Sequence, residues 1–267
     1  MNLRKIVKKI KEVKIQGAEN IAIAALKAPL FKGASVKELL KARPTEPALR
    51  NAIKFAKKYG QEKALEHFKK AREKIINYGI KRIKPVIFTH CHSSTVISIL
   101  KYAKQKGKKF EVINTETRPL YQGRKTAEEL SRLGIRITTI TDSAAKDALT
   151  KGGEIKKANV VLLGADAILK NGDVINKIGS GMFAEIAYYE KVPVYICANS
   201  WKFSSRNVKI EERSFKEIWK NAPKNVKIKN PAFEVIDKKY ITGIVSELGI
   251  LSPKQFIKKV KRVYRWI

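Results

Sequence analysis

The chain has 267 residues, enough for one large domain or for a large and a small domain, each with an apolar core. It carries 57 lysine and arginine residues against 24 aspartate and glutamate residues, a formal net charge of +33. Such an excess suits a nucleic acid or a dianionic substrate, and a lysine-rich proteome would also produce it. The lysines are spread over every segment, without an arginine-rich arm or zinc-finger spacing, which argues against a nucleic-acid partner.

The sequence gives no sign of a membrane or an oxidising compartment. No stretch reaches the roughly 18 apolar residues of a membrane span, and the first residues, MNLRKIVKKIKEVKI, lack the apolar core and cleavage site of a signal peptide. Two cysteines, Cys91 and Cys197, do not suggest a disulfide framework. We therefore expect a cytoplasmic protein with reduced thiols and no membrane partner.

Residues 1–80 contain no β-rich run. Their apolar spacing, broken by glycine and proline, predicts helices over Leu3–Ile15, Glu19–Leu30, Val36–Leu40, Pro47–Tyr59 and Gln61–Tyr78. The pattern predicts a small all-helical N-terminal domain over residues 1–80.

After Gly79, short apolar runs alternate with amphipathic segments of helix length. The runs are Pro85–Cys91, Phe110–Thr115, Ile135–Ile140, Asn159–Gly164 and Val192–Cys197. The segments between them are Ser94–Lys106, Arg124–Leu133, Ser143–Leu149 and Gly181–Lys191. This alternation predicts an α/β domain over residues 81–267, a Rossmann-like parallel sheet with helices on both faces. The tail, Asn207–Ile267, is expected to be a connecting segment followed by a C-terminal helix.

Polar residues follow the predicted strands. Cys91 ends the first run, Arg118 follows the second, Asp166 follows the fourth and Lys202 follows the fifth. Because ligands bind at the carboxyl ends of strands in open parallel sheets, these residues are expected to share one edge. Such an edge could hold an anionic sugar and move protons on it.

Several ordered motifs carry a family resemblance that runs from about Lys14 to Tyr264. They are Arg43-Pro44-Thr45, Thr89-His90-Cys91-His92-Ser93, Thr115-Glu116-Thr117-Arg118-Pro119-Leu120-Tyr121-Gln122-Gly123, Gly164-Ala165-Asp166, the Asn171–Gly179 stretch and Asn230-Pro231-Ala232-Phe233. The chain resembles the enzymes that isomerise ribose 1,5-bisphosphate and 5-methylthioribose 1-phosphate, which are homologous to regulatory subunits of translation initiation factor 2B. It is most similar to the archaeal ribose 1,5-bisphosphate isomerases.

The resemblance implies that Cys91 is the proton acceptor at the sugar C2 and that Asp166 is the proton donor that helps to open the ring. It implies no metal and no nucleotide cofactor. A thiol near a helix N-terminus and among cations can have a depressed pKa, and a partly buried carboxyl can be held protonated. Both conditions suit the implied roles.

The resemblance also implies a set of ligands for the phosphorylated sugar. The predicted binding residues are Gln16, Gly17, Ala18, Arg43, Ser93, Arg118, Gln122, Asn176, Lys177 and Lys202. Arginine and lysine pair with phosphate, and asparagine bonds hydroxyl groups. The chain departs from the family in having Gln16 where the isomerases usually have arginine, and in a helical part that is shorter by about one helix.

Each motif also has a simpler interpretation. Cys91 could be a small core residue and Asp166 could cap a turn. A metal at His90, Cys91 and His92 is disfavoured because successive strand residues point to opposite faces. The Gly179–Ala184 stretch fits a dinucleotide fingerprint, but no clean strand precedes it, and a helix start that binds phosphate through its amides suits it better.

Two functional hypotheses follow. The first is an aldose–ketose isomerase that converts ribose 1,5-bisphosphate to ribulose 1,5-bisphosphate in nucleotide salvage, with methylthioribose 1-phosphate as a weaker candidate substrate. The second is a non-catalytic, initiation factor 2B-like subunit that binds a nucleotide or sugar phosphate and contacts a translation factor. The family resemblance implies a homo-oligomer, a dimer or a trimer of dimers.

Overall fold

A computed structural model describes residues 3–12, 15, 17–28, 38–40 and 45–267. Over these residues the helices are α1 (Leu3–Lys11), α2 (Ala18–Leu26), α3 (Pro47–Tyr59), α4 (Gln61–Gly79), α5 (Ser94–Gln105), α6 (Gln122–Arg132), α7 (Ala145–Leu149), α8 (Ser180–Tyr189) and α9 (Pro253–Val263). The predicted helix Val36–Leu40 lies partly outside the described residues. The other predicted helices are confirmed to within a few residues where they are described.

The strands form two sheets. They are β1 (Val86–Thr89), β2 (Glu111–Thr115), β3 (Arg136–Ile140), β4 (Val160–Leu163), β5 (Ala167–Leu169), β6 (Val174–Lys177), β7 (Val194–Cys197), β8 (Phe203–Ser204), β9 (Phe233–Ile236), β10 (Gly243–Ser246) and β11 (Gly249–Leu251). The large sheet has the order β11-β10-β7-β4-β1-β2-β3 and is parallel except for β11. The small sheet has the order β8-β5-β6-β9.

The large sheet is covered on both faces, as the apolar runs predict. Val86 and Phe88 belong to one core cluster, which includes residues of α7, α8 and α9. Ile87, between them, belongs to a second cluster with residues of α4, α5 and α6. Since alternate strand residues point to opposite faces, a continuous apolar run is what a strand buried on both faces requires. The Rossmann-like α/β prediction is confirmed.

The tail differs from the prediction. Three strands, β9, β10 and β11, lie between residues 207 and 252, where the sequence suggested a connecting segment. β10 extends the parallel sheet beside β7, and β11 returns antiparallel to it. These strands have three or four residues, too few for their spacing to separate them from a loop. The C-terminal helix is confirmed as α9.

The small sheet contains a tight hairpin. β5 and β6 pair antiparallel, and the turn between them includes Gly172, whose φ of 97° is accessible mainly to glycine. The hairpin places Asp166 just before β5 and Asn176 and Lys177 at the end of β6. It therefore carries three predicted site residues on one short, rigid unit.

The N-terminal helices pack on one another in a cluster of their own and also on the rest of the chain. Trp201, after β7, packs in a cluster with Ala52, Phe68 and other residues of α2–α4, and Trp266 contacts it from the C-terminus. Helix α4 also contributes Ile75 to the core beneath the large sheet. The division into domains at residue 80 stays a prediction. Within the described ranges, no helix is long and apolar enough to cross a membrane.

Candidate active site

A cavity of about 310 Å³ opens at the carboxyl ends of the parallel strands. The loops after β1, β2, β4 and β7, the end of β6 and the start of α2 line it. It brings together nine of the predicted site residues, namely Gly17, Ala18, Cys91, Ser93, Gln122, Asp166, Asn176, Lys177 and Lys202. The edge of the sheet at which the sequence predicted a substrate site therefore contains a cavity.

Of the other three predicted ligands, Gln16 and Arg43 lie outside the described residues. Arg118 is exposed and does not line the cavity; its guanidinium donates a hydrogen bond to the Tyr121 hydroxyl and lies 5.0 Å from the centre of that ring. Its role as a substrate ligand stays a prediction.

The backbone holds Cys91 in an uncommon conformation. Its φ is 65°, in the left-handed region that residues other than glycine rarely adopt. The Cys91 amide donates to Thr117 Oγ1 over 3.0 Å, and the Thr126 hydroxyl donates to its carbonyl oxygen over 2.8 Å. Two threonines from the β2–α6 region thus fix the turn that aims the Cys91 side chain into the cavity.

Burial raises the pKa of the Cys91 thiol from its ordinary 9.0 to about 11. The Lys177 ammonium acts in the opposite direction, and the carboxylates of Asp166 and Asp142 add to the increase. The expected depression of this pKa is therefore wrong: removal of the thiolate from water outweighs the nearby cation. At neutral pH, Cys91 is therefore a thiol and not a thiolate.

The loop after β4 carries Asp166 and bonds to Lys202. The Asp166 amide donates to the Ile175 carbonyl oxygen over 2.8 Å, which ties the residue to the hairpin strand β6. The Lys202 ammonium donates to the Ala165 carbonyl oxygen, one residue before the carboxylate. The ammonium is thus bonded to the residue that precedes the predicted acid.

The start of α5 packs closely on the same strand end. Ser93 is the N-cap of α5, and its hydroxyl accepts a hydrogen bond from the Val96 amide over 3.4 Å. A Cβ added to Gly164 would lie 2.7 Å from Ser93 Oγ. Only glycine allows this approach, which brings the start of α5 to the cavity wall.

Asn176 and Lys177 are held by the turn into α8. The Asn176 amide donates to Ser180 Oγ over 2.8 Å, and the Ser180 hydroxyl donates to the Lys177 carbonyl oxygen over 2.6 Å. The Lys177 ammonium lies 4.8 Å from the centre of the Phe233 ring. A cation over an aromatic face is attracted to it without losing its charge, so Lys177 remains available to an anion.

The two histidines beside Cys91 form hydrogen bonds with other residues of the chain. His90 is fully buried; its Nε2 donates to the Ile178 carbonyl oxygen over 2.9 Å, and its Nδ1 lies 2.5 Å from Thr115 Oγ1. His92 Nδ1 lies 3.1 Å from Thr126 Oγ1. Burial lowers the pKa of each to about 4, so both are neutral at pH 7. The described residues contain no cluster suited to a metal ion.

The start of α8 is occupied by a carboxylate of the protein. The Gly181 amide donates to Glu234 Oε1 over 2.6 Å. The suggestion that this helix start binds phosphate through its amides is therefore not supported, because Glu234 already satisfies the donor that a phosphate would need.

A comparison with models of protein families identifies the family of this chain. A model of the initiation factor 2 subunit family matches residues 32–253. The chain belongs to the initiation factor 2 subunit family.

Relatives in this family carry two kinds of name. The chain is 35% identical to the ribose 1,5-bisphosphate isomerase of Methanocaldococcus jannaschii, with 99% of this chain and 96% of the relative covered. It is 36% identical to the protein of that name from Archaeoglobus fulgidus, with 92% and 88% covered. The solved structure of the Pyrococcus horikoshii OT3 translation initiation factor eIF-2B superposes with a TM-score of 0.82 at 30% identity, covering 96% of this chain and 98% of that chain.

Sequence reasoning missed part of the cavity wall of this family member. Glu19, Asn20, Glu46, Lys125 and Arg213 also line it. Glu19 accepts a hydrogen bond from Arg72 over 2.6 Å, and Arg213 donates to Glu217 Oε1 over 2.9 Å from its Nε. Several glutamates lie close to Arg213 in the sequence of this lysine-rich chain. This cluster of carboxylates could have indicated Arg213 as a site residue.

Proposed function

We propose that this chain is an aldose–ketose isomerase that converts ribose 1,5-bisphosphate to ribulose 1,5-bisphosphate. The observation that carries the proposal is the meeting of Cys91 and Asp166 on one cavity, with Lys177 and Lys202 beside them. The two archaeal relatives named ribose 1,5-bisphosphate isomerase support it through identity over nearly the whole chain.

The proton transfers balance within the cavity. Cys91, as thiolate, takes the proton from C2, while the ring C1–O bond breaks and Asp166 gives its proton to the ring oxygen. The resulting enol returns its hydroxyl proton to Asp166 as the C2 carbonyl forms, and C1 takes the proton from Cys91. Both groups end in their starting states, so the isomerisation consumes no oxidant and no co-reactant.

The charges around the cavity suit a bisphosphate. Lys177, Lys202 and Lys125 all line it, and Ser93 and Asn176 add neutral polar groups that can bond hydroxyl or phosphate oxygens. The net charge of +33 adds a long-range attraction for a multiply charged anion. A cytoplasmic homo-oligomer is proposed with this function.

The test is ketose formation by the purified protein, with α-ribose 1,5-bisphosphate and 5-methylthioribose 1-phosphate supplied separately. We expect turnover of the bisphosphate and little or none of the methylthio sugar. Efficient turnover of the methylthio sugar instead would assign the chain to the other isomerase branch. Binding of a nucleotide or sugar phosphate without turnover of either compound would favour the regulatory subunit.

A further inference from the structure

The lysine at the end of β7 lies on a single turn of 3₁₀ helix, Ser200–Lys202. Lys202 is only 7% exposed, although its side chain lines the cavity and donates to the Ala165 carbonyl oxygen. A lysine side chain has four rotatable bonds, so the position of its ammonium depends on how firmly its backbone is held.

One residue of an N-terminal helix forms hydrogen bonds to the backbone on both sides of Lys202. Asn51, in α3, is 5% exposed, and its side-chain amide donates to two carbonyl oxygens, those of Trp201 over 2.7 Å and Phe203 over 2.9 Å. Both donors of one amide are thereby used on the two residues that flank the lysine.

A second group holds the other end of this turn. The buried carboxylate of Glu247, after β10, accepts hydrogen bonds from the Ser200 amide over 3.0 Å and from the Ser200 hydroxyl. The turn is thus fixed to the sheet through Glu247 and to the helices through Asn51. Of these two, Asn51 contacts the residues adjacent to Lys202.

We infer that Asn51 is a positioning residue for anion binding, which sets the place of the Lys202 ammonium from the neighbouring helix α3. The inference rests on the proposed function in taking Lys202 as a ligand of the phosphorylated sugar. Loss of the Asn51 amide takes a hydrogen bond from each of these two carbonyl oxygens, so α3 no longer holds the turn and the turn can shift. The ammonium then moves with the turn.

A double-mutant cycle tests this coupling. In a Cys91→Ser background, which should not turn the bisphosphate over, dissociation constants for α-ribose 1,5-bisphosphate and for inorganic phosphate are measured by calorimetry for the parent, for Asn51→Ala, for Lys202→Met and for the double variant. We expect Asn51→Ala to weaken bisphosphate binding on the order of tenfold. In the Lys202→Met background, the same substitution should change nothing further, because no ammonium is left to misplace.

Asn114→Ala is the matched control. Asn114 is also buried and its amide also donates to two carbonyl oxygens, those of Thr115 and Gly123, but it does not contact the Lys202 turn. Its effect on binding should be the same with and without Lys202. If Asn51→Ala fails to fold, Asn51→Ser, which keeps one donor, replaces it in the cycle.

Three results would overturn the inference: an Asn51 effect that persists in full without Lys202, binding that is insensitive to Lys202, or no binding of either anion. Lys202-dependent binding with the expected cycle but no ketose formation would leave the inference standing. That last result would count against the proposed function alone.

Discussion

At the scale of single residues, the environment of the Cys91 thiol decides how the site can work. Its pKa of about 11 means that only a small fraction is thiolate at neutral pH. The Lys177 ammonium lowers this pKa without overcoming the effect of burial. At such a site, deprotonation of the thiol is slow. The thiolate that forms is a strong base.

A pH–rate profile follows from this pKa. Below about pH 11 the thiolate fraction rises tenfold for each pH unit, so the rate at which iodoacetamide alkylates Cys91, a reaction that needs only the thiolate, should rise steeply between about pH 8 and 10 without a plateau. Initial rates of alkylation over this range, for Cys197→Ser in buffers of constant ionic strength, measure it. A plateau that begins near pH 8 would show that the pKa of the Cys91 thiol is not raised.

Most residues of the site could be predicted because their types and motif positions are local properties of the sequence. Cys91, Asp166 and Lys202 each follow an apolar strand, and the structure brings them to one cavity. The pKa of Cys91 could not be predicted, since it depends on how much protein encloses the sulfur. Arg213 was not predicted because it lies in the long segment between β8 and β9, and no apolar run in the sequence leads to it.

At the scale of elements, the contact between β4 and the start of α5 determines the shape of the cavity. Gly164 ends β4, and Ser93 caps α5 directly opposite. The large sheet was predictable here because both β1 and β4 are continuous apolar runs. The strands of the tail were not, because β10 and β11 are short and their pairing is non-local.

Gly164→Ala tests this contact. The added Cβ would lie 2.7 Å from Ser93 Oγ and 3.0 Å from Ser93 Cβ, so α5 or β4 must shift. We expect a loss of about 1–3 kcal/mol in the free energy of unfolding, measured by urea denaturation, together with weaker substrate binding.

The matched background for this substitution is Ser93→Gly, which removes both atoms that the new methyl group would meet. In that background, Gly164→Ala should cost much less stability. An equal cost in the two backgrounds would mean that the clash lies elsewhere.

At the scale of the whole molecule, the three histidines of the chain are all held neutral. His67 stacks on Trp201 with ring centres 3.8 Å apart, and burial lowers its pKa to about 4, as it does for His90 and His92. The folded-state pKa values lie below the unfolded value, so the unfolded chain binds protons first as the pH falls. The stability that this gives is present above pH 6.5 and is lost towards pH 4.

The chain should therefore be sensitive to mild acid. For His67, a shift of this size corresponds to at most about 3 kcal/mol by pH 4. Urea denaturation at intervals between pH 7 and 4 measures the fall. His67→Phe keeps a ring on Trp201 but removes one titrating group, so its curve should be flatter; a curve parallel to that of the unmodified chain would contradict the assignment.

At this scale, the N-terminal helices show which structural features could be predicted from the sequence and which could not. Helices α3 and α4 were predictable from their apolar spacing and their glycine boundaries. Their packing on Trp201 and Trp266 was not, because it joins segments more than 130 residues apart. The predicted boundary at residue 80 marks a change of secondary structure, while the core runs across it.

The central claim is that Cys91 and Asp166 carry out the proton transfers, and one comparison tests it most directly. Ketose formation from α-ribose 1,5-bisphosphate is measured for Cys91→Ser, Asp166→Asn and Cys197→Ser; Cys197 is the other cysteine of the chain, is buried and does not line the cavity. We expect kcat to fall by at least about 10²-fold in the first two variants and to stay close to that of the unmodified chain in Cys197→Ser. Substantial turnover by Cys91→Ser or Asp166→Asn, in protein that is folded, would contradict the account.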